Sequence, residues 1–483
     1  MVSGGVLALI VAATVGTNAA TDGFFAAFAV YSTVVAFAQS ARTTIVARML
    51  EDQTRFGAFD RYLGAGAMLF VVVAIAFGPL GGPVAGSLTG GLPPEARQTA
   101  ETALLVFIPA SGLQLFAALG AAMLGALDDF LSAGLAFVVG SLSSIVAFVA
   151  LRPSLDTDAL AIAILFGSVV SAALVAAALV RDGWRPAATT FTAPRDAARA
   201  ASVLVISSVS FLLAQLGFLV TLGIGARLGV GVITVYSYAY MAMGLAQAIF
   251  VSSVPMVLAA PLARTWDRTA ASLLPHHLAV LRAGMLLVVP VLAAAALVGA
   301  DVAAFVLREF TDQQSTLVVE LFLILSLNVV WGLVNTVPYA ALVGVGRYVA
   351  LAVVTAVVVA VQIGVALTAG AMDSIWLLAA AVPISTAATV VATLLTISPA
   401  YTALAGPRIL AILALFLAGG ALTFGAPYLL AMLANVPAPG WWALLAGAAL
   451  YAACVTRLPA EREIAERLIA SLPLRGPRTA TDR

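Results

Sequence analysis

The feature that most limits this chain is a succession of fourteen apolar runs with almost nothing between them. Split at glycines, prolines and charge clusters, they cover approximately 3–18, 23–49, 62–88, 98–126, 130–151, 158–180, 200–226, 230–262, 279–307, 315–343, 348–370, 374–398, 408–433 and 438–457. Crossing a hydrocarbon core of about 30 Å takes about 20 helical residues, which nearly all of these supply. Lipid offers no water to an exposed N–H or C=O, so a spanning segment must be a helix or part of a closed barrel. Runs this long are not the ten-residue alternation of a barrel. Charged residues are 9% of the 483, against roughly 25% in a soluble protein, too few to clothe a water-facing surface. The predicted fold is an all-α polytopic membrane protein of about 14 transmembrane helices. Its 40 glycines would let those helices pack closely in lipid. The first run has no basic residue ahead of it, so it reads as a short membrane helix and not a secretory signal.

Arginine placement sets the orientation. With a cytoplasmic amino terminus, nineteen arginines fall inside and only Arg97, Arg152, Arg227 and Arg308 outside, a strong positive-inside bias. Both termini are therefore expected in the cytoplasm, with the protein multi-pass in the cell membrane. A net charge of +1 recruits no nucleic acid. A single cysteine, Cys454, precludes an internal disulfide. The two histidines, His276 and His277, are adjacent, read as a solvated inside loop, and offer no metal-ligand spacing. Without a lysine there is no phosphate-binding G-x-x-x-x-G-K-[ST] loop, so no fused ATPase is expected, nor any other enzyme, cofactor or metal.

An internal repeat is also legible. Gly125–Phe130 closes one helix before two apolar helices that break near Asp156 and Asp158, and Gly344–Tyr348 precedes two that break near Asp373. Two parallel six-helix halves would place substrate between them near the midplane. The expected divisions are an amino-terminal half over 1–185, a second half over 195–400, two further helices over 405–458 and a cytoplasmic tail over 459–483.

The second run opens with Ala20-Thr-Asp-Gly-Phe-Phe-Ala-Ala-Phe28. This resembles the A-T-D-x-F-F-x-A-F signature of the lipid II flippase family (MurJ or MviN) of the multidrug/oligosaccharidyl-lipid/polysaccharide exporter superfamily. The eighth run, from Tyr236-Ser-Tyr-Ala-Tyr240 to Val257-Leu-Ala-Ala-Pro-Leu-Ala-Arg264, resembles that family's tyrosine-rich helix ending in L-P-x-L-S-[KR]. The resemblance implies fourteen helices, two halves and flippase activity. It also implies arginines on the first, second and eighth helices, lining a cationic cavity for pyrophosphate. Here Met1–Thr21 holds no basic residue, the arginine positions fall on Val35 and Met241, and the acidic partner falls near Ser40. The expectation is the fold without the anion-binding constellation.

Polar groups inside lipid-embedded helices are the natural site candidates, because each is costly unless it meets a cavity or a partner. Asp22 is the gate candidate at the outer mouth, with capping of its own helix as the plainer role. Gln39 and Arg42 share a face. Arg42 either snorkels to the inner interface or holds a phosphate or carboxylate there. Tyr236, Tyr240, Gln247, Asn328 and Asn335 complete the cavity candidates. The asparagines, seven apart on one face, could equally bond across helices. Gln114, Gln215 and Gln362 have similar standing, and Pro338 should bend its helix.

The expected function is a membrane flippase or exporter that moves a lipid-linked or amphiphilic cell-envelope precursor by alternating access. Membrane lipid, that substrate and cell-envelope synthesis proteins are the expected partners. The alternatives are an H⁺- or Na⁺-coupled multidrug exporter of the same superfamily and a non-transporting envelope scaffold.

Overall fold

The computed structural model of the chain describes residues 14–51, 56–185, 194–252, 270–345 and 347–458. They form α1 (Ala19–Glu51), α2 (Gly57–Phe77), α3 (Gly81–Leu88), α4 (Pro94–Ala126), α5 (Phe130–Leu155), α6 (Asp158–Arg181) and α7 (Pro194–Leu228). There follow α8 (Val232–Gln247), α9 (Ala270–Val306), α10 (Asp312–Gly344), α11 (Tyr348–Ala371), α12 (Ile375–Ile397), α13 (Pro399–Leu433) and α14 (Pro439–Arg457). A single π turn, Ala248–Ser252, continues α8. Among the described residues thirteen helices are long and apolar enough to cross a membrane, and none of those residues is in a strand. The fold is thus an all-α polytopic membrane protein of about 14 spans. Most of the first apolar run and the end of the eighth lie outside the described residues.

Three boundaries differ most from the sequence reading, each close to a proline, one of them the start of α9 at Ala270 and not 279. The run 62–88 is not one helix: α2 stops at Phe77 and α3 restarts at Gly81. Pro79 has no N–H to give, and the Ile75 carbonyl instead receives Leu80 N–H at 3.2 Å. The run placed at 408–433 begins at Pro399. Ser398 caps it by accepting Tyr401 N–H at 3.0 Å, and Pro399 occupies the first turn, where a missing donor costs nothing. Pro407 then lies inside a helix that its position seemed to open.

The chain divides into two compact units. The first comprises Met1–Leu245, Ala304–Leu325 and Tyr348–Ala388. In it α1 lies along α4, α4 along α6, α5 along α6, and α7 along α1, α2 and α11. The α5–α6 seam uses reciprocal small residues. A Cβ on Gly140 would strike the Ser171 hydroxyl and sit 2.7 Å from the Gly167 carbonyl. A Cβ on Gly167 would strike the Ser144 hydroxyl and sit 2.6 Å from the Gly140 carbonyl. Such approach is what holds helices together where lipid removes the hydrophobic drive. Asp156 and Asp373 follow α5 and α11 with positive φ, +46° and +47°.

The second unit comprises Ala246–Ala303, Ser326–Arg347 and Thr389–Arg483. In it α13 and α14 pair with each other and rest on α9, with Gly420 against Val289 and Gly440 against the Leu297 carbonyl.

Candidate functional site

The flippase-like signature forms a polar node at the start of α1. Asn18 and Thr21 cap the helix reciprocally: Thr21 N–H donates to Asn18 Oδ1 at 2.8 Å and Asn18 N–H to Thr21 Oγ1 at 2.9 Å. With its own helix so capped, Asp22 is free to serve another. Its carboxylate accepts from Gly231 N–H at 2.5 Å, Thr234 N–H at 2.9 Å and the Thr234 hydroxyl at 2.6 Å. Gly231 and Thr234 open α8, so a fully buried carboxylate answers the unpaired donors and positive dipole end of a helix more than 200 residues away. Gly231, at φ +85°, supplies the backbone turn that aims its N–H at the carboxylate. The expectation that Asp22 caps its own helix is corrected: it caps α8.

Two more segments join this node. Gln314, in the first turn of α10, donates to Thr17 Oγ1 at 2.8 Å, and Arg152 donates to the Thr14 carbonyl. The rest of the signature is packing. A Cβ on Gly23 would collide with the Ala96 carbonyl. Phe25 meets Tyr238 edge-on at 5.0 Å, and Tyr238 meets Phe310 at 5.7 Å.

Further along α1 a cavity of about 350 Å³ opens between Phe28, Tyr31, Ser32, Val35, Ala36 and Gln114. Such a volume sits at the lower end of small-molecule sites. Tyr31 stacks on Phe107 at 4.7 Å. Its hydroxyl lies 3.4 Å from Ser168 Oγ, to which Gln114 also donates at 3.3 Å. Among the described residues the lining therefore offers aromatic faces, hydroxyls and an amide, and no charge. Val35, where the resemblance would put an arginine, is part of that wall.

The other candidates divide as follows. Tyr236 and Tyr240 stack at 6.1 Å, and Tyr240 lies on Phe218 of α7 at 4.3 Å. The buried Tyr236 hydroxyl has no hydrogen-bond partner among the described residues. In the second unit Asn328 donates to Gln247 Oε1 at 2.9 Å, while the Asn335 carbonyl oxygen has no partner among the described residues. The side chains of Gln39 and Arg42 lie outside the described ones. Gln362 donates to Thr221 at 3.3 Å, binding α11 to α7. His277 is the residue the sequence misplaced. It is not in a solvated loop but fully buried, because α9 starts at Ala270 and carries it two turns into the helix. His276 beside it is exposed.

The sequence model of the lipid II flippase MurJ family matches residues 11–436. The chain belongs to that family. Among solved structures it is similar to a lipid II flippase MurJ in an inward closed conformation, at 14% identity over 94% of this chain and 97% of that one, with a TM-score of 0.75. An inward-facing MATE multidrug resistance transporter of the MOP superfamily aligns at 18% identity over 84% and 94%, TM-score 0.66. A MOP superfamily transporter from Pyrococcus furiosus, described by the reverse polarity of its binding pocket, aligns at 18% over 84% and 91%, TM-score 0.62. At such identities these likenesses speak to the fold. No curated protein matches the sequence. Membership of the MurJ family makes the chain a multi-pass membrane flippase or exporter that works by alternating access in cell-wall biogenesis on a lipid-linked substrate. The family is one of lipid flippases and not of catalysts.

Proposed function

We propose that this flippase meets a sugar-like or otherwise neutral part of its lipid-linked precursor's head group in the cavity along α1, through the uncharged groups that line it. The observation that carries this reading is the lining of that cavity, in which Val35 stands among Phe28, Tyr31, Ser32, Ala36 and Gln114. A charge-assisted contact contributes roughly 1.5–3 kcal/mol, so a wall without arginine grips a pyrophosphate far more weakly than a cationic one. Asp22 acts as the outer gate by holding α8 to α1. Arg42 with Gln39, Tyr236 with Tyr240, and Gln247 with Asn328 and Asn335 are the further contacts of the transport path. Two six-helix halves over 1–185 and 195–400, followed by an extra pair and a tail, are supported by the positive φ shared by Asp156 and Asp373 at corresponding hairpins. Cytoplasmic termini are supported by the nineteen-to-four arginine split. Cell-envelope synthesis proteins are the partners this role would engage.

A coupled multidrug exporter would need a carboxylate within the cavity. Among the described residues the buried carboxylate is Asp22, already committed to α8, and Glu320 is exposed. The deciding experiment pairs two readouts. Reconstituted in vesicles, the protein should flip a fluorescent lipid-linked saccharide. Expressed in cells depleted of their lipid II flippase, it should not restore growth. Full rescue would overturn the neutral-cavity reading, and no flipping of any lipid-linked saccharide would favour a scaffold.

A further inference from the structure

A proline inside a helix has no N–H for the carbonyl four residues earlier. Pro338 in α10 therefore withholds a donor from Val334, and Pro290 in α9 withholds one from Leu286. In lipid such a carbonyl must be answered from elsewhere in the protein. Both of these are answered by side chains. His277 Nε2 lies 2.7 Å from the Val334 oxygen, and the Tyr451 hydroxyl donates to the Leu286 carbonyl at 3.3 Å. A carbonyl can only accept, so His277 carries its hydrogen on Nε2, and Nδ1 of the neutral ring accepts the Tyr401 hydroxyl 2.7 Å away. His277 and Tyr401 are completely shielded. Tyr401 belongs to α13 and Tyr451 to α14, so each helix of the carboxy-terminal pair reaches a proline-freed carbonyl, one through an imidazole and one directly.

We propose that the α13–α14 pair is a clamp on the proline kinks of α9 and α10, and that Tyr401, His277 and Tyr451 are positioning residues that set those kinks during transport. The pair is then a working part of the second unit and not an appendage. The kinks are the places where α9 and α10 can bend without breaking further backbone bonds, and the clamp determines how easily they do so. The Tyr451 bond ends on the carbonyl beside Pro290 and the Tyr401–His277 relay, which crosses from α9, ends on the carbonyl beside Pro338, so the two arms are separable at the two kinks.

The test is amide hydrogen exchange on the full-length protein in lipid nanodiscs, read on peptides spanning each kink. Tyr451→Phe should speed exchange around Pro290 by about fivefold, the equivalent of one lost hydrogen bond, and leave α10 unchanged. His277→Leu should do the same around Pro338 and leave α9 unchanged. Tyr401→Phe should loosen α10 less, since the imidazole remains. His277→Gln, whose amide can both donate and accept, should restore the parental pattern. Pro338→Ala gives Val334 a backbone donor, so adding His277→Leu to it should change exchange in α10 little. Equal loosening of both helices by either variant, an undiminished His277→Leu effect on the Pro338→Ala background, or no change in any variant would overturn the clamp.

Discussion

The two units leave opposite backbone groups unpaired and answer them with opposite chemistry. In the first, the unpaired groups are N–H donors at the start of α8, and a carboxylate takes three hydrogen bonds around them. In the second they are carbonyls beside Pro290 and Pro338, and neutral rings supply the donors. A helix start presents concentrated positive potential, which favours an anion even when burial penalises it. A proline kink presents one isolated carbonyl, and a buried cation there would cost more in desolvation than the bond returns. On the reading proposed above, the charged device holds hard, as a closed gate needs, and the neutral one holds lightly, as a hinge needs.

The largest expected effect breaks the charged device. Asp22→Ala leaves two N–H groups unpaired, each costing roughly 1–3 kcal/mol, and leaves the Thr234 hydroxyl with Thr21 Oγ1 at 3.2 Å. The variant should accumulate poorly, melt well below the parent in detergent and fail to flip labelled lipid-linked saccharide. Asp22→Asn keeps one acceptor oxygen but turns an NH₂ toward α8, and should fall between. If Asn performed as well as Asp, the contrast between charged gate and neutral hinge would collapse. Thr234→Val removes only the hydroxyl partner and should weaken the node least of the three.

The neutral side predicts an effect of the other sign. Pro338→Ala restores the helical donor to Val334, so it should raise the melting temperature while slowing transport, the expected trade where function needs a bend. A drop in melting temperature with unchanged transport would mean that the kink serves packing alone. The Asn328–Gln247 bond, neutral at both ends, should matter less. Interhelical side-chain bonds in membranes average about 0.6 kcal/mol, so Asn328→Ala should shift melting only slightly, and a transport loss out of proportion to that shift would mark Asn328 as a substrate contact.

The helices were legible because bilayer thickness dictates run length. What misled was proline. Gly78 and Pro79 end α2 within one continuous apolar run, while Pro407 sits harmlessly inside α13, because local composition does not tell a proline that stops a helix from one whose freed carbonyl is tolerated. Starting one run at 408, after Pro407, hid Tyr401, and starting another at 279 put His277 in a loop. Asp22 was recognisable as important from its motif. Its true partner could not be, since Gly231 and Thr234 are brought to it only by the fold. The neutral wall at Val35 was readable by counting along one helix. Gln114 was legible as a polar candidate, but not that it shares a cavity with Val35, because only the fold brings α4 beside α1 there.

The smallest expected effect asks whether a carboxylate on a helix start is strong wherever it occurs. Asp129 does for α5 what Asp22 does for α8: it accepts Ser132 N–H at 3.1 Å, and its other oxygen meets Arg181 at 2.5 Å. Here the pair lies at the surface, with Arg181 61% exposed, where solvent screens it. The Ser132 hydroxyl and N–H, with Arg181 beside them, hold the Asp129 carboxyl below its ordinary value. A carboxyl depressed in the folded state stabilises above its unfolded pKa, near 4, and loses that contribution as pH falls through the lower folded value. Asp129→Ala should therefore cost about 1 kcal/mol or less, the usual range of a lost cap. The gap from the parent should be equal at pH 7 and pH 5 and should close below about pH 4. Melting curves across that range decide it: a gap as large as that of Asp22→Ala would show that exposure does not weaken the device, and that burial is not what makes the outer node hold.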